Sequence, residues 1–138
     1  MPNGSTPTTD PVRDLPRPML GRPDCNFSFS GLKTALRQRV EELRGSGPLS
    51  PDMVANLAAG FEIAVTESIA DRVKRAIVAA RERMPNLTAL VVAGGVAANQ
   101  RLRTRLAETA AKANLPLVAP PIRLCTDNAA MIAWTGLE

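Results

Sequence analysis

The sequence has no histidine and no tyrosine, and only one tryptophan, three phenylalanines and two cysteines among 138 residues. Without histidine the chain supplies no imidazole base, no Ser–His–Asp triad and no histidine metal ligand. Cys25 and Cys125 lie far apart and form no CxxC, so they suit neither a disulfide framework nor a zinc site. A reduced, cytoplasmic protein is the simplest context. No apolar run approaches the roughly 20 residues of a membrane span, and no basic stretch followed by an apolar core opens the chain; no membrane partner is expected. With aromatics at 3%, the core must come from Ala, Val, Leu and Ile. The net charge of +4 and pI near 9.8 allow a polyanionic partner such as nucleic acid without requiring one.

What the chain does have is organised around residues 87–106, LTALVVAGGVAANQRLRTRL. Residues 87–92 are apolar, partly β-branched and bounded by Pro85 and Gly94, the pattern of a buried strand. From Val96 the residues favour helix, with Leu102 and Leu106 four apart. Gly94 and Gly95 stand between. Glycine lets backbone approach a ligand and adopt positive φ, and the N–H groups of a following helix attract anions. The pair matches neither GxGxxG nor a P-loop, and a tight connection chosen for close packing explains it equally well.

Residues 1–24 hold six of the twelve prolines and should form an extended linker or a strap across a surface. Asn26-Phe27-Ser28-Phe29 alternates like a short strand. Ser30 is a plausible N-cap for a helix that Gly45 ends. Ser28, Ser30 and Lys33 could hold an anion, or could simply be caps and a solvated lysine. Ser50 as N-cap, Pro51 and Asp52 announce a long amphipathic helix running to about Arg83 and stopped by Pro85. Val54, Leu57, Phe61, Val65, Ile69, Val73 and Ile77 make its apolar stripe; Glu62, Glu67, Arg72, Lys74, Arg81 and Glu82 read as its solvated face. Arg101, Arg103 and Arg105, two apart, share no single helical face and argue only weakly for phosphate contacts. A helix over residues 98–113 closes at Asn114, residues 117–119 form a short strand, and residues 122–125 could form another. Thr126 or Asp127 then caps a last helix. On spacing alone Asp127 is a cap, since one carboxylate does not make a metal site. The alternation predicts an α/β domain whose ligand-compatible turns, at Gly94-Gly95 and Thr126-Asp127, both lie at the carboxyl ends of strands.

Three segments together resemble one family. They are Phe27-Ser28-Phe29-Ser30-Gly31-Leu32-Lys33-Thr34-Ala35, then Val91-Val92-Ala93-Gly94-Gly95-Val96-Ala97-Ala98-Asn99 with Leu102-Arg103, then Cys125-Thr126-Asp127-Asn128-Ala129-Ala130-Met131-Ile132-Ala133. Leu15-Pro16-Arg17-Pro18 fits as well. The resemblance is to the tRNA N6-adenosine threonylcarbamoyltransferases (TsaD, once called O-sialoglycoprotein endopeptidase), over about residues 10–138. It implies an actin-like ATPase fold of the sugar kinase, Hsp70 and actin type, with residues 25–138 an incomplete second lobe. It implies transfer of a threonylcarbamoyl group from threonylcarbamoyl-AMP to N6 of the adenosine beside the anticodon. By the same resemblance Asn99 contacts the adenylate, Gly94 and Gly95 line the turn, and Asp127 is a ligand of iron or zinc. That metal would hold and polarise the carbamoyl-bearing substrate. The implied nucleotide is threonylcarbamoyl-AMP or ATP, and the implied partners are tRNA, a non-catalytic paralogue and an ATPase subunit.

This chain departs from the family pattern at instructive places. The HxxxH pair that completes the family's metal site is absent, as are the first phosphate-binding loop and the tail after the TDNAAM helix. The chain therefore looks like the second half of the enzyme trimmed at both ends, expected to bind metal poorly and to lack turnover alone. Two other classes remain open: a sugar-kinase-like or acetate-kinase-like phosphotransferase, and a non-catalytic partner subunit, against which Asp127 argues. The old peptidase label finds no HExxH and no nucleophile setting here.

Overall fold

A computed structural model describes residues 15–125, 133 and 135–137. The chain divides into two compact units, Met1–Arg72 and Val73–Glu138, and each is best understood from its own core.

In the first unit, α1 (Ser30–Gly45) carries a single buried residue, Leu32. Leu32 packs with Leu15 and Ala64, ringed by Phe29, Ala35, Leu36, Phe61 and Val65. Burying one leucine of this kind contributes about 2 kcal/mol. Leu15 comes from the proline-rich run, which has no regular structure of its own to hold it in place. Side chains of α2 (Pro51–Arg83) do so instead. Arg17 Nε donates to Glu67 Oε2 at 2.7 Å, and the Gly21 N–H donates to Asp71 Oδ2 at 3.3 Å. Arg72, 1% exposed, donates to the Asp24 carbonyl oxygen at 2.6 Å and pairs with Asp71. The charge pattern had placed Arg72 on a solvated face, and the structure buries it instead. Its burial is tolerated because the guanidinium is met by a carbonyl and a carboxylate, which offset the loss of water around the charge.

Local chemistry accounts for the helix ends. Ser50 Oγ accepts the Met53 N–H at 3.2 Å, and Pro51 takes the first helical position, where its missing N–H costs nothing. The i→i−4 ladder of α2 extends to Met84, whose N–H donates to the Ala80 carbonyl at 2.8 Å; Pro85 has no N–H to continue the pattern. Two expectations for α1 fail. Its N-cap position is Phe29, with no side-chain cap, and Ser30 is already helical. Ser30 Oγ instead shares a hydrogen bond of 3.1 Å with Ser28 Oγ. At the other end Gly45 stays inside the helix, and the positive φ of 134° falls on Gly47. Residues 26–29 have no regular structure and pair with no strand among the described residues, so the expected strand there does not form.

By length and composition alone, α2 could cross a membrane, with a third of its most apolar stretch buried. The sequence reading had found no such run. Buried Leu57, Ala64, Ala70 and Ile77 give the helix a core-facing role that explains its apolar character.

The second unit is built on a parallel pair: β1 (Leu90–Val91) beside β2 (Leu117–Val118), in register Leu90 with Leu117 and Val91 with Val118. β1 is far shorter than the apolar run at residues 87–92 and is not the buried strand expected, since Val91 is exposed; β2 stops one residue short of the expected 117–119. Pro116 supplies only a carbonyl on one side, accepting from Leu90 N–H at 2.9 Å, and the ladder ends where Val92 N–H reaches the Val118 carbonyl at 2.9 Å. Beyond lie Pro120 and Pro121, which have no N–H to give. Between the strands runs α3 (Gln100–Lys112). Ile77, Ala110 and Leu115 form the core, with Val73, Leu87, Leu90, Ala113 and Leu117 against it. The C-terminus of α3 is a Schellman motif. Asn114 takes φ 53°, and its N–H reaches the Ala111 carbonyl while Leu115 N–H reaches Ala110, both at 2.9 Å. Leu115 and Ala110 also meet in the core, the apolar contact that goes with this cap.

Candidate functional site

Because β1 and β2 are parallel, their carboxyl ends share one edge, and the loops that leave them lie side by side. The first loop rises from Val92 into the 3-10 turn Gly95–Ala98. Gly94 precedes it at φ 90°, ψ 177°, a region open essentially to glycine alone. Gly94, Gly95 and Val96 are exposed, whereas Ala97 is buried beneath them. A Cβ placed on Gly94 would meet nothing within 4 Å, so the glycine is required by backbone conformation and not by crowding.

α3 does not begin directly after the glycines. The 3-10 turn intervenes, and Asn99 is the N-cap, its Oδ1 accepting the Leu102 N–H at 2.8 Å. The helix expected over residues 98–113 thus starts at Gln100. Asn99 is partly buried and already has one structural task, which fixes its side chain at the rim of the loop.

The second loop leaves β2 through Pro120 and Pro121. Residues 122–125 are not a strand. Ile122–Leu124 is a 3-10 turn, closed by Leu124 N–H to Pro121 O at 2.8 Å and Cys125 N–H to Ile122 O at 3.0 Å. The two 3-10 turns touch. A Cβ placed on Gly95 would lie 4.0 Å from the Cys125 carbonyl oxygen. Gly94, Gly95 and Asn99 are thus brought together on one loop, and the chain leading toward Thr126 and Asp127 lies against it. Asp127, the predicted ligand, and the predicted helix that follows it fall outside the described residues.

Arg103 is the side chain the sequence reading undervalued. It turns inward from α3 and donates to the Ala97 carbonyl through Nε. Its Nη2 reaches the Pro120 carbonyl at 2.6 Å and Cys125 Sγ at 2.9 Å. The pointer to it in the sequence was the double proline, which leaves carbonyl acceptors with no backbone donor opposite them. Of its neighbours in the arginine trio, Arg105 pairs with Glu108 at 2.8 Å across one helical turn.

Among the described residues no group of three or more His, Cys, Asp or Glu comes together that could hold a metal ion. Cys125, buried at 3% exposure, faces the Arg103 guanidinium, a cation that opposes a second cation there. Asp127, the one iron or zinc ligand expected from this chain, is not among the described residues.

The α1 cluster of Ser28, Ser30 and Lys33 belongs to the first unit. Its serines bond to each other, and Thr34 Oγ1 turns back to the Ser30 carbonyl at 3.0 Å. Those hydroxyls satisfy one another locally, as serine and threonine near a helix start often do.

Comparison with known proteins gives the arrangement its context. The tRNA N6-adenosine threonylcarbamoyltransferase family model (TsaD) matches residues 3–134. A protein of that name from Rhodopseudomonas palustris (strain HaA2) is 56% identical over 124 residues, covering 90% of this chain and 33% of the relative. One from Rhodospirillum rubrum is 55% identical over 130 residues, covering 94% of this chain and 36% of the relative. One from Methylobacterium sp. (strain 4-46) is 56% identical over 130 residues with the same coverage, 94% and 36%. The chain spans about a third of the length of the curated relatives it matches. With a match running through both loops and nearly the whole sequence, the chain belongs to the tRNA N6-adenosine threonylcarbamoyltransferase family, whose fold is actin-like.

Proposed function

We propose that this chain forms one wall of the cleft in which a tRNA threonylcarbamoyltransferase holds threonylcarbamoyl-adenylate, within the second lobe of the actin-like fold. The observation that carries the reading is the contact between the two turns at the carboxyl edge of the parallel pair. The exposed backbone of Gly94 and Gly95 lets the adenylate approach closely, and Asn99, held by its own cap bond, offers its amide at the rim. In this reading the acyl group moves from the carbamoyl adenylate to N6 of a tRNA adenosine. The chain's part is to bind and orient, and fixed positioning of two reactants can supply a large part of such a rate.

The resemblance also brings tRNA, a paralogue subunit and an ATPase subunit as partners, with Asp127 as the one metal ligand this chain contributes. The histidines that would complete such a site are absent from this sequence, so the chain alone should neither hold the metal well nor turn over.

The decisive experiment grafts residues 1–138 in place of the matching third of the Rhodospirillum rubrum relative. Threonylcarbamoyl transfer to unmodified tRNA is then measured with the remaining components supplied. Transfer by the chimera, with none by the 138-residue chain alone, supports the reading. A chimera that phosphorylates a small molecule from ATP and leaves tRNA unmodified would replace it with the phosphotransferase alternative.

A further inference from the structure

We propose that Arg103 is a positioning residue that locks the two loops of the site in register, taking over where the backbone ladder stops. The proposal deepens the adenylate-site reading and rests on it for its functional half. Its structural half stands on geometry alone.

The ladder between β1 and β2 ends at the Val92 N–H and Val118 carbonyl bond. Past that point the second loop offers Pro120 and Pro121, which accept but cannot donate. The first loop closes on itself, with Ala97 N–H bonded to Gly94 O at 3.0 Å and Asn99 N–H to Val96 O at 3.1 Å. Two self-contained turns in contact would be free to slide. Arg103 supplies the missing donors. Its Nε meets the Ala97 carbonyl of the first loop, and its Nη2 meets Pro120 O and Cys125 Sγ of the second, at 2.6 and 2.9 Å. The Cys125 thiol is turned toward the carbonyls of Pro121 and Pro120, at 3.6 and 3.7 Å, leaving its sulfur lone pairs for Arg103.

The chemistry selects arginine. A guanidinium has five donors in a rigid planar fork and accepts nothing, so its Nε and Nη2 can meet acceptors from two loops at once. A lysine ammonium on a flexible stem could serve one loop but not span both. Arg103 thereby connects the backbone that carries Gly94, Gly95 and Asn99 to the segment that leads into Asp127. A lateral slip of the loops by about 1 Å would misplace a bound adenylate enough to cost on the order of 10²-fold in rate.

Cys125 reports on the lock directly. With exposed Cys25 replaced by serine, it is the one thiol left in the full chain. Arg103→Met and Arg103→Lys are made in that background, and the rate of Cys125 labelling by Ellman's reagent is measured with and without added guanidinium ion. The same substitutions in the chimera described above are assayed for kcat and for KM toward threonylcarbamoyl-adenylate and tRNA. Labelling should rise by ~10-fold or more in Arg103→Met, with a smaller rise in Arg103→Lys, and guanidinium should slow it again. In the chimera, kcat/KM for the adenylate should fall while KM for tRNA stays put, with partial rescue by guanidinium.

Unchanged labelling in both variants overturns the lock, whatever the chimera does. Faster labelling with unaltered adenylate kinetics overturns the positioning role. If the unsubstituted chimera is inactive, the adenylate reading fails, and with it the positioning role; the labelling result then judges the lock by itself. Should Arg103→Met fail to fold, Arg103→Lys carries the same comparison, because it keeps the charge and loses the span.

Discussion

Replacing Gly94 by alanine isolates backbone strain from every other effect. At φ 90°, ψ 177° an L-residue sits in a region essentially reserved for glycine, and holding it there costs on the order of 1–3 kcal/mol. Nothing lies within 4 Å of the new Cβ, so neither clash nor added packing contributes. Gly95 is the internal control. It has no positive φ, and its Cβ would stand 4.0 Å from the Cys125 carbonyl oxygen, an ordinary contact. An alanine there should be neutral or stabilise by a few tenths of a kcal/mol through the unfolded chain. Urea unfolding separates the two. With a slope of about 2 kcal/mol per molar, Gly94→Ala should lower the midpoint by about 0.5–1.5 M, while Gly95→Ala leaves it within error. In the chimera the prediction reverses its emphasis: an alanine at Gly95 intrudes on the exposed face offered to the adenylate and should raise KM without loss of stability. Equal midpoints for the two variants would refute the strain argument, and with it the reason for a glycine at this turn.

Much of the frame was legible because single residues with strong local rules set it. Ser50, Pro51 and Pro85 fixed both ends of α2, and the apolar pair Leu117 and Val118 marked β2. The glycine turn and its place at a strand's carboxyl end were readable for the same reason. What escaped the sequence was decided by partners remote in the chain. Residues 26–29 alternate like a strand, yet a strand exists only if another offers its ladder, and none does among the described residues. Arg72 sits among charged residues on the helical wheel. Only the path of residues 15–24 over α2 makes it a buried hub. Residues 122–125 read as a strand by composition, but the two prolines before them end the ladder and leave a 3-10 turn as the local solution. Within the site, the sequence placed Gly94 and Gly95 at a turn after a strand but put Asn99 inside the helix that it in fact caps, and it passed over Arg103, whose three acceptors belong to segments its own helix periodicity cannot reveal.

Three further substitutions test the remaining structural claims. Arg72→Met should destabilise the first unit by about 3 kcal/mol, because it removes the buried guanidinium that the Asp71 carboxylate and the Asp24 carbonyl share. Limited chymotrypsin digestion should then cut faster after Leu20, which precedes Gly21 and is exposed, and an unchanged cleavage rate would show that the strap is held by other means. Leu32→Ala, at a fully buried side chain in the same core, should cost about 2–5 kcal/mol by urea unfolding; a loss under 1 kcal/mol would mean the core closes over the gap. Asn99 separates its two roles. Its Oδ1 accepts one N–H from Leu102, a task aspartate performs as well, so Asn99→Asp should leave stability nearly unchanged while Asn99→Ala loses about 1 kcal/mol. Aspartate, however, offers no amide N–H and places a negative charge beside an anionic adenylate. In the chimera, therefore, Asn99→Asp should impair adenylate binding at least as much as Asn99→Ala, the reverse of their order in stability. If binding instead follows stability, with aspartate near the parent and alanine worse, then Asn99 serves the site only as a helix cap, and contact with the adenylate must come from the glycine backbone alone.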